Sequence, residues 1–173
     1  MLIVFAGLPG TGKTTLARLV AAQRAAAYVR VDAIEASLVA TELVPDQCHL
    51  GPDGYVIAAA VARENLLIGC DVVVDAVNSV TEARELWADL AAKQGVACRF
   101  VEVVCSSVSV HRARVESRDF DLDAIEPPSW QRVVAREYHA WAVPRLQVDN
   151  VGSAEESMRV IVAALDSAQW PPA

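Results

Sequence analysis

A glycine-rich run close to the amino terminus, GLPGTGKTT, has the residue types and spacing that bind phosphate. Its glycines at positions 7 and 12, followed by lysine and threonine, fit the pattern G-x-x-x-x-G-K-[ST]. In such a loop the backbone N–H groups turn inward around a phosphate, and the positive end of the following helix strengthens the attraction. The residues predicted to bind a nucleoside triphosphate in this way are Gly7, Leu8, Pro9, Gly10, Thr11, Gly12, Lys13, Thr14 and Thr15.

Two side chains of this loop have separate predicted tasks. Lys13 is predicted to reach the β- and γ-phosphates and to act as a catalytic cation during phosphoryl transfer. The hydroxyl of Thr14 is predicted to hold Mg²⁺. The loop therefore predicts a protein that binds MgATP or MgGTP.

Two carboxylates follow short apolar runs that read as strands. Asp32 follows the run 28–31, and we expect it to bind an acceptor hydroxyl and take its proton; alternatively, it caps the helix that it opens. Asp75 follows three valines, as in a Walker B strand, and is predicted to hold Mg²⁺ together with Thr14; alternatively, it binds substrate. Because ligands of parallel sheets lie beyond the carboxyl ends of the strands, both acids should approach the phosphate loop.

Two arginines one helical turn apart supply further positive charge. Arg114 and Arg118 are predicted to lie on one helix face, just before the acidic segment 119–126. They are candidates to bind ATP, either by neutralising the transferring phosphate or by stacking on the base, with Arg112 as a competing choice. The alternative is that these are exposed helix arginines paired with nearby acids. We expect the segment from about 107 to 129 to form a small lid.

Two further side chains are predicted to contact the substrate. Tyr55 lies beside two glycines in a turn before a helix, and Asn78 follows Asp75 by three residues. Both positions should lie near the carboxyl edge of the sheet, where an acceptor would bind. The predicted substrate-binding set is therefore Asp32, Tyr55, Asp75 and Asn78.

The pattern of apolar residues indicates the elements that must position these side chains. Short β-branched runs alternate with segments of helical periodicity, which is typical of a parallel sheet with helices on both faces. We expect an α/β fold of five parallel strands, the P-loop NTPase type, as a single domain over residues 1–173. The predicted strands are 2–6, 28–31, 71–75, 98–105 and 146–148, and one predicted helix runs from Ser129 to Trp141.

Composition excludes several classes of protein. A formal charge of −7 argues against binding to long nucleic acid, which requires a basic surface. No stretch approaches the roughly 18 apolar residues that a membrane helix needs, so no membrane partner is expected. The four cysteines show no C-x-x-C spacing and are expected to be reduced. We therefore expect a cytoplasmic protein that acts on a small molecule.

Four motifs in order resemble the small P-loop kinases of the adenylate-kinase-like group: GLPGTGKTT, VDAIEASL, VVVDAVN and HRARVESR. This group includes gluconate kinase, adenylylsulfate kinase, chloramphenicol phosphotransferase and the kinase domain of phage polynucleotide kinase, and the resemblance covers about residues 2–150. It implies that Asp32 is the base, that Asp75 and Asn78 form the third-strand motif, and that Arg114 and Arg118 belong to a lid. It also implies that the loop 149–153, which contains Gly152, borders the adenine.

Departures from the family pattern bear on which substrate and which nucleotide the protein is predicted to bind. The residues after Asp32 supply neither the Asn nor the Arg of adenylylsulfate kinases, which disfavours a sulfate nucleotide as substrate. No N-K-x-D run for guanine is present, which favours ATP over GTP. The leading hypothesis is an ATP- and Mg²⁺-dependent kinase that phosphorylates a hydroxyl of a small molecule. The alternatives are a nucleoside or nucleotide kinase and a nucleotide-binding regulatory ATPase without a small-molecule acceptor.

Overall fold

Five short apolar segments form one parallel sheet. The structure is a computed structural model that describes residues 1–117 and 119–171. The strands are β1 (Leu2–Ala6), β2 (Ala27–Arg30), β3 (Val72–Asp75), β4 (Cys98–Val104) and β5 (Leu146–Asp149). They are hydrogen-bonded in the order β2-β3-β1-β4-β5, and each neighbouring pair is parallel. The predicted five-stranded parallel sheet is thereby confirmed.

The register of the sheet brings the candidate site residues to one edge. Asp75 at the end of β3 lies opposite Phe5 of β1 on one side and Arg30 of β2 on the other. The phosphate loop leaves the same end of β1, because that strand ends at Ala6. Strand β1 is central and fully buried, which explains why its sequence is apolar without alternation.

Helices cover both faces of the sheet. Within the described residues they are α1 (Lys13–Arg24), α2 (Val31–Ala40), a 3₁₀ turn (Gln47–His49), α3 (Asp53–Leu67), α4 (Thr81–Gln94), α5 (Val108–Ser117), α6 (Trp130–Val134) and α7 (Ala154–Leu165). Leu2 and Val4 of β1 face one core with Trp87, whereas Ile3 and Phe5 face the other core with α1 and α7. No helix among these residues is both long and apolar enough to span a membrane.

Strand β2 ends earlier than the sequence predicted. Helix α2 begins at Val31, so Asp32 lies in the first helical turn and not at the tip of the strand. The N-cap position is Arg30, which makes no side-chain capping hydrogen bond. The alternative role of Asp32 as N-cap is therefore wrong.

The predicted helix from Ser129 to Trp141 is also wrong, because only Trp130–Val134 is helical. Beyond it, the guanidinium of the buried Arg84 donates to the carbonyl oxygens of His139 and Ala140, both at 3.0 Å. The backbone N–H of His139, which in a helix would donate to Ala135, donates instead to the Ser79 carbonyl at 2.8 Å. These contacts hold an irregular segment against the core. Trp141 still packs inward, with the Arg84 guanidinium 3.9 Å from its ring centre.

Candidate nucleotide and acceptor site

The phosphate loop has the backbone geometry that its glycines predicted. Gly7 and Gly12 have φ angles of 141° and 92°, in the region that side chains rarely adopt. A Cβ atom on Gly7 would lie 2.3 Å from the carbonyl oxygen of Val103, and one on Gly12 would lie 2.2 Å from Nδ2 of Asn150. Both glycines are thus required by close approach of other segments as well as by the turn itself.

A cavity of about 540 Å³ opens beside this loop, large enough for a nucleotide. Of the predicted ATP-binding residues, it is lined by Gly10, Gly12, Lys13, Thr14, Thr15, Arg114 and Gly152. Pro9 lines a neighbouring cavity. Gly7, Leu8 and Thr11 line neither cavity, and the Thr11 hydroxyl donates to the Leu8 carbonyl at 2.9 Å, which stabilises the loop from within.

Asp75 forms the charged centre of the site. Its side chain is 1% exposed, with Lys13 Nζ 3.5 Å from Oδ1 and the Tyr28 hydroxyl donating to Oδ2 at 2.8 Å. Burial by itself would raise the pKa of Asp75, but the charge of Lys13 and hydrogen bonds from Tyr28 and Thr14 hold it below its ordinary value. The carboxylate is therefore ionised in the absence of nucleotide.

The donor set of this centre fits Mg²⁺. Oδ1 of Asp75 is buried and accepts no well-aligned hydrogen bond, which leaves one carboxylate oxygen for a cation or a water bound to it. No group of three or more His, Cys, Asp or Glu side chains that could hold a metal occurs in residues 1–117 and 119–171. Mg²⁺ at Thr14 and Asp75 would accordingly take its other ligands from phosphate and water, as this ion does in nucleotide sites.

Arg114 reaches the loop that follows β5. Its guanidinium donates to the carbonyl oxygens of Asn150 at 2.5 Å and Val151 at 3.3 Å, and it lines the nucleotide cavity beside Gly152. Within the described residues it forms no ion pair with an acid, unlike the arginines of the alternative interpretation. Arg114 therefore lies where this cavity meets the loop after β5.

The two other arginines considered for the lid differ from Arg114. Arg112 forms an exposed ion pair with Glu116, one helical turn away, at 2.8 Å. It lines neither cavity. Arg118 lies outside the described residues, so its predicted role stays a prediction.

A second cavity of about 270 Å³ adjoins the first, and Lys13 lines both. Asp32 and Tyr55 also line it, as predicted for substrate-binding residues. Lys13 would hold the γ-phosphate, so a molecule in the second cavity has its reactive group close to Lys13 and Asp32. This juxtaposition is what transfer between two bound molecules requires.

Glu35, one helical turn after Asp32, is a site residue that the sequence reasoning missed. Burial and the nearby charge of Asp32 raise its pKa to about 7, although Arg136 opposes this. It lines the second cavity and fits against Gly54, where a Cβ atom would lie 2.5 Å from its Cγ. Its i, i+3 spacing from Asp32 was the available signal.

Asn78 was predicted to bind substrate, and the structure shows that this prediction is wrong. Its side chain is 0% exposed; Nδ2 donates to the Phe5 carbonyl at 2.8 Å, and Oδ1 accepts from Trp87 at 2.9 Å. No amide atom is left for a substrate. Asn78 instead holds the chain after β3 in place, and its backbone N–H donates to the Tyr55 hydroxyl at 3.3 Å.

Two polar residues that received no predicted role support the phosphate loop. Asn150 is 4% exposed; its Nδ2 donates to the Thr11 carbonyl, and its Oδ1 accepts from Ser157, both at 2.9 Å. His111 on α5 is 7% exposed, and its Nε2 donates to the Pro9 carbonyl at 2.8 Å. No local pattern marks the two contacts with the phosphate loop, because each joins residues more than 100 positions apart.

The acidic segment after α5 lies against the two cavities. Asp121 accepts hydrogen bonds through Oδ2 from Arg18 at 2.9 Å and from Arg30 at 2.7 Å, and all three residues line the nucleotide cavity. Hydrogen bonds from Arg30 and Arg18 hold the pKa of Asp121 well below its usual range. Phe120, which follows Asp119, lines the second cavity.

Comparisons with known proteins agree with this fold. A family model described as an AAA domain matches residues 2–149, and no curated protein matches the sequence. The APS kinase CysC of Mycobacterium tuberculosis, solved with AMPPNP and APS, is 21% identical over 96% of this chain and 97% of that chain, with a TM-score of 0.66. A gluconokinase from Sinorhizobium meliloti is 22% identical over 94% of this chain and 90% of that chain, with a TM-score of 0.62. Chaetomium thermophilum Kti12, solved with ADP-AlF3, is 20% identical over 98% of this chain and 100% of that chain, with a TM-score of 0.69.

Proposed function

Because the chain belongs to the AAA domain family and has the P-loop fold of the small kinases, we propose that it is an ATP-dependent phosphotransferase. It would move the γ-phosphate of MgATP to a hydroxyl of a small molecule. The observation that carries the proposal is that Lys13 lines both cavities, while Asp32 lines the smaller one. A nucleotide in the first cavity and an acceptor in the second would meet at Lys13.

The predicted site residues other than Asn78 have roles in this proposal. The phosphate loop would cradle the phosphates, and Lys13 would move from Asp75 to the β- and γ-phosphates when nucleotide binds. Thr14 and Asp75 would hold Mg²⁺, which when bound neutralises charge on the transferring phosphate. Arg114 and Gly152 would lie at the adenine, and Arg118 would supply a lid cation.

Asp32 would orient the acceptor hydroxyl and accept its proton. It is half-buried in the first turn of α2 and lines the acceptor cavity together with Lys13. An ionised carboxylate at this point can take the proton that the hydroxyl loses as its oxygen bonds to phosphorus. Tyr55 would form the wall of the acceptor cavity.

Substitution of Asp32 tests this function. Asp32→Asn should keep MgATP affinity but lower the rate of transfer by about 10²–10⁴-fold, the usual contribution of a general base. The measurement is ADP release with and without acceptors from a panel of sugars, polyols, hydroxy acids, nucleosides and amino alcohols, with MgATP affinity measured by calorimetry. A wild-type transfer rate in the variant would assign Asp32 a structural role.

The same assay separates the alternatives. Transfer confined to nucleosides or nucleotides would identify a nucleoside or nucleotide kinase. ADP release that no acceptor accelerates would identify a regulatory ATPase, an alternative compatible with the likeness to Kti12 in complex with ADP-AlF3. Asp32 favours an acceptor, because it lines a separate cavity of about 270 Å³ that an attacking water would not require. The reaction is proposed for the cytoplasm, with no membrane or long nucleic-acid partner.

A further inference from the structure

The acceptor cavity has a carboxylate region and a guanidinium region. Asp32 and Glu35 supply the first region from α2, beside Lys13. Arg132 and Arg136, one helical turn apart on and just after α6, supply the second. Because the two elements are distant in the chain, the cavity exists only when the fold brings them together.

The two arginines are not neutralised by the protein. No carboxylate in the described part of the chain lies within ion-pair distance of Arg136. Arg132 has one acidic neighbour, Glu126, at 4.0 Å. Glu126 also lines the cavity, but both side chains are mainly exposed, at 59% and 82%. Exposed pairs of this geometry contribute little free energy, so both guanidinium groups are available to a ligand.

Their charge acts inside the cavity. Arg136 lowers the pKa of Glu35 and of Tyr55, two residues of the cavity wall, against the larger effect of burial. Its field therefore extends across the space in which an acceptor would bind. Arginine is the side chain best suited to bind carboxylate or phosphate through two parallel hydrogen bonds.

We infer that the acceptor is a small polyhydroxylated molecule that carries an anionic group, a carboxylate or a phosphate. Arg132 and Arg136 bind the anionic group, and the hydroxyl to be phosphorylated lies at Asp32. Glu35, whose side chain packs against Gly54 and lines the cavity, binds a second hydroxyl. This inference rests on the proposed kinase function and narrows its substrate class.

The size of the cavity agrees with this class. A volume of about 270 Å³ lies just below the usual range for small-molecule sites, so the acceptor is compact. Ile125 and Pro128 contribute the apolar part of the wall. These groups can cover the carbon chain of a polyol while its polar groups reach the two charged regions.

Matched acceptors that differ only in charge test the inference. The probes are glycerol, erythritol and glucitol, the aldonic acids of the same chain lengths, and glycerol 3-phosphate and glucitol 6-phosphate. ADP release with MgATP should be faster with the acids or with the phosphates than with the neutral polyols. Comparison of the rates with the aldonic acids and with the polyol phosphates then shows which anion the arginines recognise.

Substitution of the arginines identifies them as the anion site. Arg132→Gln and Arg136→Gln should each raise the KM for the best charged probe about ten- to a hundredfold, the loss expected for a charge-assisted hydrogen bond. The KM for MgATP should stay unchanged, since neither arginine lines the nucleotide cavity. Arg159→Gln on α7 is the matched control, because Arg159 is exposed and lines neither cavity.

The outcomes separate this inference from the proposed function. Faster transfer to charged probes that Arg132→Gln and Arg136→Gln weaken would support it. Equal or faster transfer to the neutral polyols or to nucleosides, or an unchanged KM in both variants, would overturn the substrate class and leave the kinase proposal standing. ADP release that no hydroxyl compound accelerates would overturn both.

Discussion

The buried pair of Lys13 and Asp75 joins the stability of the fold to the binding of phosphate. The two residues are 5% and 1% exposed, so each charge depends on the other when nucleotide is absent. Nucleotide phosphates would give Lys13 a new partner, and Mg²⁺ would give one to Asp75. The same two residues can therefore be tested in the resting protein, before any acceptor is known.

Removal of Lys13 alone should destabilise the protein. Lys13→Met leaves Asp75 buried without its counter-charge, and we expect the free energy of unfolding to fall by about 3 kcal/mol. Adding Asp75→Asn should recover part of this loss, because the uncompensated charge is then gone. Urea unfolding of the two single variants and the double variant measures the coupling; additive losses would show that the two side chains do not interact.

Glu35 should make stability depend on pH. Its pKa is raised to about 7 from 4.5, so the native state keeps a proton that the unfolded chain releases. Below about pH 4.5 Glu35 is protonated in both states and does not change the free energy of unfolding. As the pH rises from 4.5 to 7, Glu35 lowers the free energy of unfolding, and the loss remains at higher pH. Glu35→Gln should be more stable than wild type at pH 8 by on the order of 2–3 kcal/mol, and nearly equal at pH 4.5.

Chemical unfolding of wild type and Glu35→Gln at several pH values between 4.5 and 8 checks this expectation. Groups other than Glu35 titrate in both proteins, so the difference between the two curves isolates Glu35. Glu85→Gln, at an exposed position on α4, is the control. Parallel curves for wild type and Glu35→Gln would contradict the raised pKa.

At the scale of elements, ion pairs of Asp121 tie the segment after α5 to α1 and β2. Asp121 is 49% exposed and accepts from Arg18 on α1 and Arg30 at the end of β2. Because the Asp121 carboxylate is half exposed, solvent screens both pairs, and each contributes little to global stability. Their effect should therefore be local, on how often this segment opens from the cavities it borders.

Asp121→Asn should loosen the predicted lid without unfolding the protein. We expect faster amide hydrogen exchange in residues 119–128 in the absence of nucleotide, with little change in melting temperature. MgAMPPNP should slow exchange in this segment in both proteins, because a bound nucleotide gives the lid new contacts. Asp123→Asn serves as control, since this exposed carboxylate lines neither cavity. Equal exchange in Asp121→Asn and wild type would show that the ion pairs do not hold the segment.

At the scale of the whole molecule, nucleotide binding should stabilise the fold, because one cavity joins α1, α5 and the loop after β5. MgAMPPNP at a hundred times its Kd should add about 2.7 kcal/mol to the free energy of unfolding. For a chain of this size that is a rise in melting temperature of roughly 5–10 °C. The guanine analogue MgGMPPNP at equal concentration should give a smaller rise; a larger one would contradict the predicted preference for ATP.

The phosphate loop, the five-stranded parallel sheet and the position of Asp75 at the end of β3 were predictable from local patterns. The loop is defined by the covalent spacing of glycine, lysine and threonine, and strands alternating with helices permit few arrangements other than a parallel sheet. A parallel sheet then places the strand ends, with their acids, at one edge. Asp75 consequently lies beside Lys13 although 61 residues separate them.

Contacts between distant segments decided where α6 ends, what Asn78 does and how the acceptor cavity forms. No local sequence pattern encodes these contacts. The helix predicted to reach Trp141 ends at Val134, and contacts with Ser79 and the buried Arg84, from another part of the chain, hold the residues beyond it in an irregular conformation. Asn78 became a support of the core because the Phe5 carbonyl and Trp87 lie within its reach. The acceptor cavity also depends on distant contacts. Its carboxylates come from α2 and its two arginines from α6 and the residues just after it, and only tertiary packing brings them to one cavity.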